Sequence, residues 1–316
     1  MAGWLLKAVM HLVMLWARIE AAVLPTEWLY SMGRASARTL FLWVPAIRRG
    51  LLRNARRLLG PGASQRELER HSVRVLEGFS RFFVELLTAP DTYPSQEEFL
   101  QRIEGMQRAI DCYRRGKGVI GISLHMGNME LGPMLLEGLI EPAAIVYRKD
   151  PFGLVEQMRS RARRTHGLEE IDTGSRLFGV RVLEVLRRGG FAFLLGDLGF
   201  EDTAGPPRGR VYPFLGGRAR FLIWPARLAL ASGAPLLPCF VLRDRRGRYH
   251  ARIEAPIEPE GTVDEVMLRL VAVYERYVRA YPDQWLILHS YWEEDEAGAS
   301  GTEEREPEGS AASDEG

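Results

Sequence analysis

The sequence predicts an α/β fold in which a mixed, mainly parallel sheet is flanked by helices and preceded by a helical N-terminal segment. From Gly118 onward, short apolar runs typical of buried strands alternate with segments of helical periodicity, and such alternation favours a largely parallel sheet. Before Gly118 the periodicity is helical, with interruptions at prolines. With 316 residues and 46% hydrophobic content, the chain can bury one large core or two modest ones.

Residues 1–60 are predicted to form a helical segment that associates with a membrane. In the stretch GWLLKAVMHLVMLWAR, Lys7, His11 and Arg18 share one helical face and apolar residues fill much of the rest, which is typical of a helix lying in an interface. Its apolar length falls short of the roughly 20 residues that a spanning helix needs. A short or tilted span, and a first helix packed in the core, stay open as alternatives.

Helical periodicity continues to about residue 115. It is interrupted at Pro25 and Pro45, and it includes the basic amphipathic segment RRGLLRNARRLLG. A helix is predicted over 64–87, where the first residue, a serine, and Glu67 form a capping-box pattern. A further helix is predicted from about 96–115.

Residues 61–292 are predicted to form the α/β domain. Its strand patterns are GVIGISL, PAAIVYR, FAFLLGD, PLLPCFVLR and RYHARIEA, and GLEEID is a short segment that can be extended. The helical patterns between them are MELGPMLLEGL, LVEQMRSRARRTHG, GVRVLEVLRRGG and LIWPARLALASGA, and TVDEVMLRLVAVYERYVRAYP closes the domain. The last two strands are predicted to be antiparallel because the short turn DRRGR joins them.

Charge divides the chain at residue 293. Residues 293–316 hold ten acidic residues against one arginine and few apolar ones, so a disordered tail is predicted there. The remaining body has 41 basic against 31 acidic residues, which favours an anionic partner such as a phosphate, a membrane surface or an acidic carrier protein. No nucleic-acid partner is expected, and the protein is expected to be a monomer.

Reactive or charged side chains follow three of the predicted strands. His125 comes after GVIGIS, Arg148 after PAAIVY and Asp197 after FAFLLG. In open α/β sheets, ligands bind at the carboxyl ends of the strands. This convergence predicts a catalytic site around His125, whereas a single histidine in a turn is more often structural.

Two acids are candidates for orienting the imidazole of His125. Glu130 lies five residues further on, and on a continuous helix the two side chains would diverge by about 140°. They can meet if a turn through Gly127 and Asn128 separates the strand from the helix. Asp197 is the rival, from a different strand, and either acid would stabilise the imidazolium.

The chain has no evident protein nucleophile, metal site or phosphate-binding glycine loop. GISLH lacks the final glycine of a nucleophile elbow, and no cluster of ligand residues, including Cys112 and Cys239, has metal-site spacing. A substrate hydroxyl is therefore the predicted nucleophile, with His125 as its general base. Donors for the oxyanion would be the N–H groups of Gly127 and Asn128 or the guanidinium of Arg148.

One motif region and five further blocks of sequence resemble a known family. GKGVIGISLHMGNMELGPMLL is similar to the H-x4-D/E motif region of the lysophospholipid acyltransferase superfamily, and more narrowly to bacterial lipid A biosynthesis (lauroyl/myristoyl) and phosphatidylinositol mannoside acyltransferases. The first block, IEGMQRAIDCYRRGKG, is similar to the stretch that precedes the motif in that family. The family's order continues after the motif with IVYRKDPFGLVEQMRSRAR, LRRGGFAFLLGDLGF, GRVYPFLGGRARFLIWPARLALASGAPLLPCFVLR and PDQWLILHSYW. The resemblance covers roughly residues 30–292 and implies a glycerolipid-acyltransferase-like fold.

The resemblance implies a reaction and its components. His125 would be the general base, Glu130 its acidic partner and Arg148 and Asp197 site-lining residues, with Asp197 as the partner in the mannoside enzymes. A fatty acyl chain would pass from acyl carrier protein or coenzyme A to a glycolipid or lipid A-type hydroxyl, with no cofactor, at the cytoplasmic face of a bacterial inner membrane. A lipid ester hydrolase of similar fold and a catalytically inactive lipid-binding protein are the alternatives.

Some residues depart from that family pattern or allow two interpretations. Met126 and Met129 replace the aromatic residues usual in the motif. Ser290 and Tyr291 replace the final basic pair, which weakens the case for a multiply phosphorylated acceptor. Four arginines near the Pro-Phe loop are interpreted either as ligands for phosphate or an acidic carrier or as a solvated loop. They are Arg208, Arg210, Arg218 and Arg220.

Overall fold

The computed structural model describes residue 20 and residues 23–88, 93–136, 138–149, 153–197 and 209–292. The predicted amphipathic helix of residues 1–18, the acidic tail of residues 293–316 and Arg208 lie outside the described residues. The division of the chain at residues 60 and 292 therefore stays a prediction.

The N-terminal part of the described chain is helical. Helices α1 (Thr26–Trp43), α2 (Pro45–Leu59) and α3 (Gln65–Thr88) follow one another. The predicted breaks at Pro25 and Pro45 are confirmed, because proline lacks the N–H group that a helix interior requires and suits only a helix start. The capping box before α3 is also confirmed, since the backbone N–H of Ser64 donates to the Glu67 carboxylate at 2.8 Å. These helices pack around a small core of their own that includes Phe41.

The continuous helix predicted over 96–115 is wrong. The structure divides the segment into α4 (Gln96–Leu100), β1 (Ile103–Glu104) and α5 (Met106–Arg114). Gly105 causes the break, because its φ of 86° lies in the left-handed region and a Cβ there would overlap the carbonyl oxygen of Ile253.

The main sheet is mixed and mainly parallel, as predicted. Its strands lie in the order β1-β9-β8-β2-β5-β3-β4. The bounds of the strands after β1 are β2 (Val119–Ser123), β3 (Ala143–Tyr147), β4 (Glu169–Asp172), β5 (Phe191–Leu195), β6 (Arg210–Phe214), β7 (Gly217–Phe221), β8 (Leu236–Arg243) and β9 (Tyr249–Ile253). Strand β9 runs antiparallel to β8, which confirms the predicted hairpin, and β1 runs parallel to β9.

The Pro-Phe segment, predicted only as a loop, forms the separate β6–β7 hairpin.

Helices cover both faces of the main sheet. They are α6 (Leu131–Leu135), α7 (Gly153–Thr165), α8 (Phe178–Arg187), α9 (Trp224–Ser232) and α10 (Val263–Ala280), and a 3₁₀ turn follows at Pro282–Gln284. The largest core cluster joins β2, β5 and β8 to α8, α9, α10 and the closing segment around Trp285 and Trp292. Helix α6 is much shorter than the predicted helix, and an apolar cavity lies between it and the sheet.

Of the helices that the structure describes, none is both long enough and apolar enough to cross a membrane.

Candidate active site

The register of two central strands brings His125 and Asp197 together. Strands β2 and β5 are parallel neighbours in which Ser123 lies opposite Leu195. His125 and Asp197 each follow that pair by two residues. Because parallel strands end at the same edge of a sheet, the two side chains leave it side by side.

Asp197 holds the backbone and the imidazole of His125. Its Oδ1 lies 2.7 Å from His125 Nδ1, and its Oδ2 accepts from the backbone N–H of His125 at 2.9 Å. The indole N–H of Trp285 also donates to Oδ2 at 2.9 Å, and the hydroxyl of Tyr291 donates to the Asp197 carbonyl oxygen at 2.7 Å. The carboxylate is buried, whereas 26% of the His125 side chain is exposed. The imidazole is therefore accessible on one side and fixed on the other.

The charge of Asp197 sets the tautomer of His125. Burial raises the pKa of the Asp197 carboxyl. The charge of His125 and the hydrogen bonds from His125 and Trp285 together lower this pKa by more than burial raises it, so it lies below its ordinary value. An ionised carboxylate can only accept hydrogen bonds. His125 therefore donates through Nδ1 and keeps its lone pair on Nε2, which is the arrangement of a general base.

Glu130 makes its hydrogen bonds to two arginines of α7. Arg159 donates to Oε1 from both Nε and an Nη, and Arg163 donates to both oxygens, at distances of 2.5–3.0 Å. Burial raises the pKa of Glu130, but the two guanidiniums outweigh it and lower the pKa to about 2. Arg163 is fully buried and lies 4.2 Å from the centroid of the Tyr147 ring. Of the two acids left open by the sequence, Asp197 contacts His125 and Glu130 instead joins the H-x4-E turn to α7.

The turn between His125 and Glu130 uses its own amides internally. Gly127 has a φ of 61°, and its N–H donates to the carbonyl of Gln284 at 3.0 Å, while the N–H of Asn128 donates to Val241 at 3.2 Å. These two N–H groups are thus occupied, so the geometry does not support the oxyanion role expected of Gly127 and Asn128.

Asn128 is fully buried and structural in its contacts. Its side-chain oxygen accepts from the backbone N–H of Leu131 at 3.2 Å, and its amide donates to Glu85 at 3.1 Å. Glu85, on α3, is also buried and hydrogen-bonds the hydroxyl of Tyr249 and, at 2.8 Å, the guanidinium of Arg81. This network joins the turn between His125 and Glu130 to α3 and β9. The substrate contact expected of Asn128 would require these hydrogen bonds to break.

An apolar cavity of about 460 Å³ opens at His125. It lies on one face of the sheet and extends across β3, β5, β2, β8 and β9, as shown by its lining residues Ile145, Phe193, Gly121, Val241 and Ala251. Met129, Gly132 and Pro133 cover it from the other side.

Cys239 lines the same cavity, but burial raises the pKa of its thiol to about 12. A protonated thiol is a poor nucleophile at neutral pH.

The basic residues expected at the site separate in the structure. Arg148 lines the same cavity as His125. Arg210 instead forms an exposed ion pair with Asp264 at 2.6 Å and does not line the cavity. Within the described parts of the chain, no group of three or more His, Cys, Asp or Glu side chains is arranged to hold a metal ion.

Several residues that shape the site were missed in the sequence. Arg159 and Arg163 have the i, i+4 spacing of one helix face, and Glu85 interrupts an apolar face three residues after Phe82. The spacing of the two arginines and the position of Glu85 were both detectable in the sequence. Glu85 in particular indicates buried partners, because an acid on a buried helix face requires them. Nothing local indicated that Trp285 would reach Asp197.

The family model for bacterial lipid A biosynthesis acyltransferases matches residues 4–294. No curated protein matches the chain.

Proposed function

The chain belongs to the bacterial lipid A biosynthesis acyltransferase family, and from this premise we propose that it transfers a fatty acyl chain from an acyl thioester to a hydroxyl of a glycolipid or lipid A-type acceptor. The observation that carries the proposal is the His125–Asp197 pair, which opens into an apolar cavity. The donor is acyl carrier protein or coenzyme A loaded with the acyl chain, and the reaction needs no metal or organic cofactor.

His125 is the proposed general base of the transfer. Its Nε2 takes the proton of the acceptor hydroxyl as that oxygen attacks the thioester carbonyl, and an anionic tetrahedral intermediate forms. The intermediate collapses to the new ester, and the departing thiolate takes the proton back from the imidazolium. Asp197, at 2.7 Å from Nδ1, stabilises the imidazolium that exists between these steps.

Arg148 is the proposed donor to the oxyanion of that intermediate. It lines the same cavity as His125 and carries a permanent positive charge. A guanidinium near a developing oxyanion in a water-poor cavity stabilises the transition state more than the ground state. Glu130 has a positioning role, because it holds the turn after His125 against α7.

The apolar cavity is the proposed channel for the acyl chain. It begins at His125 after β2 and reaches Ala251 and Ile253 of β9. Strand β9 is two strands from β2, so the channel extends roughly 10 Å across the sheet at the usual strand spacing. Gly121 and Gly132 let the lining side chains of Phe193 and Val241 pack closely against the backbone, since a Cβ at either position would lie within 3.0 Å of one of them. The length of the transferred chain is then set at the end of the channel that β9, Phe99 and Ile103 line.

Helix α1 presents the proposed membrane-binding surface. Trp28, Met32 and Trp43 have the spacings of one helix face, and Trp28 and Trp43 are 65% and 78% exposed. Exposed tryptophans of this kind partition into a lipid interface. Helix α2, rich in arginine, follows directly and would contact anionic head groups. The membrane is proposed to be the bacterial inner membrane, with the site on its cytoplasmic side.

The central test replaces His125 with alanine and measures transfer from an acyl thioester to acceptor lipid. Transfer is expected to fall by roughly 10²–10⁴-fold, the usual contribution of a general base. His289 also lines the cavity, but within the described residues it has no carboxylate partner. His289→Ala therefore distinguishes the two candidate bases.

His250→Ala is the matched control, because His250 alternates with Ala251 on β9 and so lies on the opposite sheet face. Near wild-type transfer by the His125 variant would contradict the assignment.

The same assay separates transfer from hydrolysis. If the thioester is consumed equally fast without acceptor lipid, the protein is a hydrolase. If no donor is consumed but lipid is bound, it is a lipid-binding protein that lacks catalysis.

A further inference from the structure

A second cleft, of about 710 Å³, adjoins the catalytic cavity. Arg148, Thr173, Leu222 and Trp224 line both, so a ligand whose acyl end occupies the cavity can place another group in the cleft. We call this second site the arginine cleft, after Arg148, Arg176 and Arg227 in its wall. No residue of its described lining is acidic.

Two of these guanidiniums lack a carboxylate partner in the part of the chain that the structure describes. Arg176 lies in the turn after β4, Arg227 lies in the first turn of α9, and both are exposed. Among the described residues, neither side chain forms an ion pair or hydrogen bond with a carboxylate. The nearest acid in sequence, Asp172, is outside the cleft lining and accepts a hydrogen bond from the N–H of Gly174 at 2.9 Å. Within the described parts of the fold, the charges of Arg176 and Arg227 are therefore not neutralised by a carboxylate.

Polar groups of the wall add further hydrogen-bonding capacity. Helix α9 (Trp224–Ser232) begins at the cleft, and a helix N-terminus carries partial positive charge. The indole nitrogen of Trp224 and the hydroxyl of Thr173 are buried and have no hydrogen-bond partner within the described residues. Buried polar atoms normally have partners, so a bound group would satisfy them.

We propose that the arginine cleft binds a phosphate ester of a substrate while the acyl chain occupies the neighbouring cavity. Guanidinium groups bind phosphate oxygens in a bidentate manner and prefer them to neutral groups. The inference rests on the proposed function, because both kinds of substrate offer such a group. The acyl donor carries a phosphate in its pantetheine arm, and a lipid A-type acceptor carries phosphate on its sugar.

The first arm of the test measures binding without any reaction. Inorganic pyrophosphate is titrated calorimetrically, at fixed ionic strength, into the wild type, the double variant Arg176→Gln/Arg227→Gln and the control Arg187→Gln. Arg187 is exposed on α8 and lines neither cavity. The double variant is expected to lose roughly 10- to 100-fold in affinity, while the control binds like the wild type. Equal affinity in the wild type and the double variant would overturn the proposal.

The second arm identifies the source of the phosphate. KM is measured separately for acyl donor and acceptor lipid, with Arg148 unchanged because it is proposed to serve the reacting carbonyl. A rise of roughly tenfold in the donor KM assigns the cleft to the pantetheine phosphate, and the same rise in the acceptor KM assigns it to the lipid phosphate. If transfer by the wild type is intact and neither KM changes, the phosphate proposal is wrong and the proposed function stands. If the wild type transfers nothing, the proposed function fails and the titration still decides whether the cleft binds phosphate.

Discussion

Replacing Asp197 with asparagine should reduce catalysis while leaving substrate binding almost intact. The carboxylate accepts three hydrogen bonds, two from His125 and one from Trp285. An asparagine retains the shape and one acceptor oxygen but adds an NH₂ group that can only donate. If that group faces the imidazole, it stabilises the tautomer with the hydrogen on Nε2, and the base loses its lone pair at the substrate.

The size of the effect follows from this geometry. Losing the correct tautomer and the charge opposite the imidazolium is expected to lower kcat by about 10³- to 10⁴-fold, which corresponds to about 4–5 kcal/mol of activation free energy. KM should change little, because Asp197 is buried and does not line the cavity.

Glu130→Gln is the informative comparison. Its carboxylate neutralises Arg163, which is fully buried, and Arg159, which is largely buried. Removing one partner of such a buried pair is expected to lower the free energy of unfolding by about 3–5 kcal/mol. The two substitutions should thus have different effects. Asp197→Asn lowers kcat, and Glu130→Gln lowers the free energy of unfolding.

Thiol release from the acyl donor and urea unfolding of the same preparations measure the two quantities. Asp111→Asn is the control, since Asp111 is exposed and bonds only to Gln107 in the described structure. The reasoning is refuted if Glu130→Gln lowers kcat as much as Asp197→Asn with unchanged unfolding, or if the Asp197 variant keeps more than about a tenth of wild-type kcat.

Three further predictions follow from single contacts. Because the pKa of Glu130 is lowered from 4.5 to about 2, its ionisation should contribute about 3 kcal/mol of stability above pH 4.5, and this contribution is lost as the pH falls toward 2. Urea unfolding measures it: between pH 7 and pH 3, the free energy of unfolding should fall less for Glu130→Gln than for the wild type. Gly127→Ala should destabilise the protein by more than about 1 kcal/mol, because φ is 61° and a Cβ would overlap the carbonyl oxygen of Val241. Thermal unfolding measures the loss, with Gly179→Ala as the control because the added Cβ there would meet nothing. Equal stability of the two variants would contradict the prediction. Ala251→Leu should shift the preferred donor to a shorter acyl chain by filling the β9 end of the channel. Transfer rates for a series of donors with increasing acyl-chain length measure this preference. An unchanged preference would mean that the acyl chain does not occupy this cavity.

Local patterns in the sequence determined most of the elements. The prolines at 25 and 45, the capping box at Ser64 and the apolar runs after Gly118 each act through neighbouring residues, and each matched an observed element boundary or strand. The segment 96–115 failed because its periodicity is helical throughout, while the left-handed glycine at 105 packs against Ile253, almost 150 residues away. The β6–β7 hairpin was missed for a similar reason, since Ala219 bridges to Trp292 at the far end of the domain.

The candidate site was predicted in its location more than in its contacts. His125, Arg148 and Asp197 were identified because the carboxyl ends of parallel strands meet at one edge, which is a rule of topology. The choice between Glu130 and Asp197 stayed open, because it depends on which strand lies beside β2 and in which register. The order β2–β5, with Ser123 opposite Leu195, decides that contact.

By itself, the sequence determined that this protein is an α/β chain of its family with a histidine after its first long strand, since strand patterns, turns and ordered blocks are all read along the chain. Tertiary structure alone decided which acid touches the histidine, where the amide hydrogens of the H-x4-E turn are directed, and that three arginines from separate elements line one cleft. The physical reason is distance in sequence. Asp197 lies 72 residues from His125, and a short-range hydrogen bond between them exists only after the sheet has brought two strand ends together.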